Sequence, residues 1–106
     1  MINKQSQGKP FQATATHATA ASASKAGATG KVHYVTDAVA SSDKAGAILL
    51  IKDGSTVIFQ VQMGANTSVI LHFVTPLKGS SGEAVSVDVD GTSACKANIA
   101  GFTLKQ

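Results

Sequence analysis

Residues 47–63, AILLIKDGSTVIFQVQM, place two apolar runs on either side of the pair Asp53 and Gly54. An Asp-Gly pair between apolar runs is a strong local signal for a β-hairpin, because tight hairpin turns need a residue that tolerates a positive φ angle. The run over residues 47–51 is continuously apolar, which predicts a central strand covered on both faces. After the turn, side chains alternate, so Val57 and every second residue beyond it are expected on a buried face.

The same pattern of short strands separated by Gly-containing turns extends over most of the chain. Further strands are predicted at residues 32–40, 67–74, 85–90 and 96–104. The strand at 67–74 is expected to end before Pro76 and to be largely covered on both faces. Gly101 interrupts the last strand, which indicates a bulge or the close approach of another backbone. This spacing predicts an all-β, antiparallel fold, a sandwich or a barrel, and it leaves the strand topology open.

The first 30 residues differ in composition from the rest. Met1, Ile2 and Phe11 are their only large apolar residues, and residues 12–29 are Ala, Thr or Ser at 14 of 18 positions. The period of two and the β-branched threonines favour an extended segment over a helix. We therefore expect an extended N-terminal arm over residues 1–30 and a β-sandwich domain over 31–106. Whether the arm adds a strand to its own sandwich or to a neighbour's stays open.

Residues that carry chemistry do not cluster along the sequence. The histidines, His17, His33 and His72, are 16 and 39 residues apart, which is not a local metal-ligand spacing. Glu83 is the only glutamate, and Cys95 is the only cysteine and is expected to be a buried small residue. We predict a protein that is not an enzyme, with no catalytic residue, no cofactor and no metal site.

Charge and hydropathy exclude two classes of partner. All nine cationic residues are lysines spread along the chain, with a net charge of +3 and few aromatic residues, so no basic stripe for nucleic acid is predicted. The longest apolar run, residues 47–51, is far too short to cross a membrane. The first residues lack the apolar region of a secretory signal, and we expect a soluble protein made in the cytosol.

Four short segments occur in a familiar order. They are HYVT at residues 33–36, KDGSTV at 52–57, PLKG at 76–79 after Phe73, and ANIAGF at 97–102. Their order over residues 31–104 resembles that of small β-sandwich structural proteins of tailed bacteriophages, most of all the capsid decoration (cement) proteins. The resemblance implies a jelly-roll-like sandwich that forms a homo-oligomer, with a trimer favoured.

The resemblance also implies a function. A decoration protein stabilises the capsid by binding across neighbouring major capsid subunits, so the expected location is the capsid surface of the virion, after synthesis in the host cytoplasm. Such proteins use an extended terminal arm to reach neighbouring capsid subunits, and the resemblance implies that residues 1–29 form this arm here. Lys4, Lys9, Phe11 and His17 are the expected partner contacts. The alternative is a disordered N-terminus whose charges are incidental and bind no partner.

Two other classes of function are compatible with the fold. A tail fibre or baseplate module for host-surface recognition needs a concave patch lined by aromatic side chains, but the chain has one tyrosine and no tryptophan. A small enzyme or ligand carrier needs a pocket lined with convergent polar groups, and no such groups can be identified in the sequence. The capsid function is therefore preferred.

Overall fold

The computed structural model describes residues 8–17, 21–44, 46–64, 66–90 and 95–105. These residues form strands, turns and short connections and include no helix that could cross a membrane. The strands described are β1 (Lys9–His17), β2 (Ala21–Lys25), β3 (Lys31–Ser42), β4 (Ile48–Asp53), β5 (Thr56–Gln62), β6 (Thr67–Lys78), β7 (Val85–Asp90) and β8 (Cys95–Lys105).

The strands form two four-stranded sheets with only antiparallel pairing. Sheet 1 has the order β1-β8-β3-β6 and sheet 2 the order β2-β7-β4-β5. The chain passes from one sheet to the other at every connection except the one between β4 and β5. This arrangement is a jelly-roll sandwich, in which the inner faces of the two sheets enclose one core. The predicted all-β antiparallel sandwich is confirmed.

The β4–β5 hairpin is also confirmed. Asp53 pairs with Thr56 around a two-residue turn, and Gly54 at its first position has a φ of 61°. A positive φ at this position is what favours glycine. β4 lies between β7 and β5, and Leu49 and Ile51 are fully buried at the centre of the core.

A bulge changes the predicted face of Val57. The β4–β5 register shifts between Ile51 and Lys52, so that Ile51 pairs with Phe59 and Lys52 pairs with Val57. An extra residue in one strand breaks the alternation of its side chains. Val57 was predicted on the buried face, but it is 43% exposed.

The sandwich begins before the predicted boundary at residue 30, so the arm adds strands to the sandwich of its own chain, one of the two possibilities that the sequence left open. β1 pairs with β8 from Lys9 to His17, and β2 pairs with β7, so both strands belong to the sandwich. Ala21 and Ala23 face inward and are 3% and 1% exposed. Alanine is small enough to be overlooked as a core residue, yet on these edge strands its methyl group fills the space between the sheets. Residues 1–7 of the predicted arm lie outside the described residues.

The structure also corrects the strand at 67–74. β6 continues to Lys78, although its pairing with β3 is interrupted over residues 73–76. Pro76 is tolerated there because an unpaired stretch of an edge strand needs no N–H donor. The outer face of β6 is not covered, since Ile70 is 75% exposed and Val74 is 91% exposed.

Gly101 marks a close contact between strands β8 and β3 of sheet 1. A Cβ atom at this position would overlap the carbonyl oxygen of Tyr34 and lie 2.9 Å from Cζ of Phe11. The β3 register shifts beside it, between Val35 and Asp37. The predicted close approach of another backbone at Gly101 is confirmed.

Substitution of Gly101 by alanine is expected to lower the free energy of unfolding by about 1–3 kcal/mol, because the backbone of β3 must move to admit the methyl group. Urea denaturation measures the change. Gly64→Ala is the matched control, since its Cβ would meet only Thr67 atoms at 3.6 Å, and it should change stability by less than about 0.5 kcal/mol. Equal effects of the two substitutions would contradict the close approach.

Candidate interaction surfaces

One side of the sandwich is formed by the two edge strands β5 and β6, here called the β5–β6 side. The rings of Phe59 and Phe73 meet edge to face across it, with centroids 5.3 Å apart. Among the described residues, all three exposed large hydrophobic side chains lie on these two strands: Ile70 and Val74 on the outer face of sheet 1 and Val57 on the outer face of sheet 2. Apolar surface left open on edge strands is a site for association with another chain.

The β5–β6 side is almost free of charge. β5 has no charged residue, and β6 has only Lys78 at its end, with His72 as its other titratable group. Proteins usually protect long edge strands with charged side chains, and here only Pro76 and the interruption over residues 73–76 do so. The opposite side, formed by β1 and β2, carries Lys9 and Lys25.

A hydrogen-bonded cluster joins β6 to β3 on the outer face of sheet 1. His72 donates from Nδ1 to Oδ1 of Asp37 at 2.7 Å, and the Thr36 hydroxyl donates to Oδ2 at 2.8 Å. Burial alone would raise the pKa of Asp37, but the hydrogen bonds from His72 and Thr36 and the charge of protonated His72 outweigh it. The pKa of Asp37 therefore lies below its ordinary value.

Two shallow hollows lie on sheet 1, one at its end and one in the middle of its outer face. One, of about 340 Å³, lies at the end of the sheet and includes Thr16, Ser41, Asp43, Asn66, Ser68 and Lys96. The other, of about 320 Å³, lies mid-sheet and includes Gln12, Thr14, Asp37, Val39, Asn98 and Ala100. Hydroxyl, amide and carboxyl side chains are present in both and can hydrogen-bond to a polar partner, although most of the exposed lining of each hollow is apolar.

The structure brings together two of the four predicted contact residues. Lys9 and Phe11 line a narrower cleft at one end of the sandwich. His17 ends β1 opposite Cys95, away from Lys9, and its side chain is not described. Lys4 lies outside the described residues.

Sequence reasoning missed two members of this cleft, Lys25 and Lys31. They flank the short connection over residues 26–30, which joins the end of β2 to the start of β3. The short distance between Lys25 and Lys31 in the sequence could have predicted that they lie close together, because residues on either side of a short connection reach the same end of a sandwich.

The residues that could carry chemistry are held in structural positions. Among the described residues, no group of three or more His, Cys, Asp or Glu side chains could hold a metal ion. His33 is 1% exposed, with Nε2 2.8 Å from the Ala26 carbonyl and Nδ1 2.7 Å from the Thr103 hydroxyl. Cys95 is buried as predicted, and burial raises the pKa of its thiol.

Comparison with known proteins bears on the fold. No protein family model and no curated protein matches the sequence. The C-terminal CBM6 module of LamC, a marine laminarinase from Zobellia galactanivorans, is 10% identical with a TM-score of 0.50, over 89% of this chain and 99% of that one. PirA is 13% identical, with a TM-score of 0.44, over 88% and 93% of the two chains. The carbohydrate-binding module CBM36 is 14% identical, with a TM-score of 0.41, over 82% and 72%. The first of these similarities supports the β-sandwich fold.

The Asp37 cluster predicts a pH dependence of stability. Because its pKa is lowered in the folded state, Asp37 stabilises the fold above its unfolded-state pKa, and this contribution is lost as the pH falls through the folded-state value. The wild-type protein should therefore lose more stability than Asp37→Asn between about pH 5 and pH 3, as measured by urea denaturation at each pH.

Asp90→Asn is the control for this measurement. It removes the same charge from an exposed position at the end of β7 and should leave the acid dependence close to that of the wild type. Parallel curves for the wild type and Asp37→Asn would contradict the assigned cluster.

Proposed function

We propose that this protein is a non-enzymatic structural protein of a phage particle that self-associates and decorates the capsid. It binds across neighbouring major capsid subunits and stabilises them. The observation that carries the proposal is the β5–β6 side, where Ile70 and Val74 expose apolar surface on an edge strand with almost no charge.

A second copy of this chain is the binding partner that best fits the β5–β6 side. The chain has a net charge of +3, so two copies repel each other wherever their lysines meet. Contact through a side where Lys78 is the only lysine reduces that repulsion. Burial of an isoleucine or valine side chain stabilises by about 1.5–3 kcal/mol, and each copy contributes Ile70 and Val74. A closed ring, with a trimer favoured by the sequence resemblance, is the proposed form.

Capsid binding through an oligomer follows from multivalency. Each copy presents the same rigid sandwich, so weak contacts to the capsid are repeated around the ring and act together. The proposed contacts are Lys4, Lys9 and Phe11 at the start of the chain and His17 at the end of β1. The partner is the major capsid protein, the location is the capsid surface after synthesis in the host cytoplasm, and neither nucleic acid nor membrane takes part.

A tail fibre or baseplate module that binds a host glycan is the second candidate. The hollows of sheet 1, with Gln12 and Asn98, are the observation that favours it, and jelly rolls occur in lectin domains as well as in viral capsids. None of the five aromatic side chains is exposed, and Tyr34 is stacked on Phe102 with centroids 4.8 Å apart. Without an exposed ring, a sugar has no stacking surface.

Two lysines placed on the β5–β6 side should dissociate the oligomer. In the Ile70→Lys/Val74→Lys variant, self-association would bring like charges together and remove them from water, so a monomer is expected. Light scattering measures the solution mass, and circular dichroism checks the fold. Thr14→Lys/Ser24→Lys adds the same charge at exposed positions of β1 and β2 and should remain oligomeric.

Two results would overturn this interface. A wild-type protein that is monomeric at all concentrations would contradict self-association. An Ile70→Lys/Val74→Lys variant with the wild-type mass would exclude the β5–β6 side as the contact.

Capsid binding is tested by co-sedimentation of the purified protein with empty heads of the phage that encodes it. Saturable binding is expected, and the monomeric double variant should bind at least about tenfold more weakly because it loses avidity. Absence of binding to heads, together with binding to a panel of bacterial surface glycans, would favour the tail module instead.

A further inference from the structure

A basic cleft lies where β1 begins, β2 ends and β3 begins. Its volume is about 140 Å³, and three exposed lysines on three different strands line it: Lys9, Lys25 and Lys31. These lysines are separated in the sequence and meet only because the jelly roll places the three strand ends together. The β3–β8 pairing adds a fourth lysine nearby, since Lys31 is the register partner of Lys105.

The lysines of the cleft have no acidic counterpart in the described residues. No aspartate or glutamate lines the cleft, and none of the three forms an ion pair there. Lys52, by contrast, lies 3.1 Å from a carboxylate oxygen of Asp88. Folding therefore gathers like charges that repel each other, and a bound anion would relieve that repulsion.

The floor of the cleft is rigid. His33 is fully hydrogen-bonded: the Ala26 carbonyl can only accept, so Nε2 donates to it at 2.8 Å, and Nδ1 pairs with the Thr103 hydroxyl. The Phe11 ring packs edge to face on the imidazole, with centroids 5.5 Å apart. A rigid floor limits the entropy lost when a small ligand binds.

We infer that this cleft binds a doubly charged oxyanion, a phosphate or sulfate group. Lysine ammonium groups act as point charges that suit a compact polyvalent anion, whereas a planar carboxylate is best matched by the fork of an arginine, which this chain lacks. The cleft is confined to one end of the fold, and this favours a single anionic group over a polyanion laid along a stripe. The inference does not rest on the proposed capsid function.

The probe is inorganic phosphate, titrated at neutral pH into isotopically labelled protein and followed by NMR. Sodium chloride holds the ionic strength constant, so that only specific binding changes the spectrum. Saturable shifts are expected at the amides around the cleft, including those of Lys9, Lys25, Lys31 and Thr103. Shifts spread evenly over all the lysines, or no saturation, would overturn the inference.

Two double variants of equal net charge make the test specific. Lys25→Gln/Lys31→Gln should weaken phosphate binding about tenfold, since it removes two of the charges around the anion. Lys44→Gln/Lys78→Gln removes the same charge at exposed positions outside the cleft and should change the affinity by less than about twofold. Equal weakening by both variants would show a general charge effect and would overturn the site.

Two further titrations identify the source of the anion. Sulfate should compete with phosphate for the same amides. Phenyl phosphate that binds more tightly than inorganic phosphate would support a group carried on a larger molecule, and equal affinities would support a free anion. The solution mass of Lys25→Gln/Lys31→Gln should match the wild type, so a failure of anion binding is distinguishable from a failure of assembly.

Discussion

The close contact of β8 with β3 at Gly101 is the constraint on which both candidate surfaces depend. Without a side chain at this position, β8 lies directly against the Tyr34 carbonyl, and the Phe11 ring of β1 covers the glycine from the other side. Beside it, the β3 register shifts, and Thr36 donates a hydrogen bond to the Ala100 carbonyl at 3.2 Å. The shift places Asp37 opposite His72, which ties edge strand β6 to the sheet. The position of Phe11 brings its ring onto His33 and forms the floor of the basic cleft.

Much of the fold follows from local sequence signals. The hairpin at Gly54 and the strands β3, β4, β5, β7 and β8 are marked by turn residues and by alternating large side chains. The same signals do not identify β1 and β2 as core strands, because their inward residues, such as Ala21 and Ala23, are small. The exposure of Ile70 and Val74 has another cause. Ile70 and Val74 are exposed because β6 lies at the edge of sheet 1. The order of strands in a sheet cannot be predicted from the alternation of side chains within a single strand.

The candidate surfaces, too, could be predicted from the sequence only in part. Lys9 and Phe11 were selected from the sequence, but Lys25 and Lys31 join them only through the strand order of the jelly roll. Charges that look evenly spread along the chain are uneven in space, because strands that alternate between two sheets bring distant residues to one end. The absence of a basic run in the sequence predicts that there is no basic stripe, but it carries no information about a cluster that forms on folding.

The basic cleft lies at one end of the sandwich, and two of its three lysines, Lys9 and Lys25, are on the side opposite the β5–β6 side. Three strand spacings separate β1 from β6 in sheet 1, or about 14 Å. That distance exceeds the screening length of about 8 Å at physiological ionic strength, so the lysines at the β1–β2 side scarcely repel a copy that approaches the β5–β6 side. In the proposed ring, contact through the β5–β6 side would leave Lys9 and Lys25 of each basic cleft on the side away from the neighbouring copy. These two lysines would then keep the outer sides of the ring apart from one another while remaining free to bind an anion, so one uneven charge distribution would serve both the proposed assembly and the inferred anion binding.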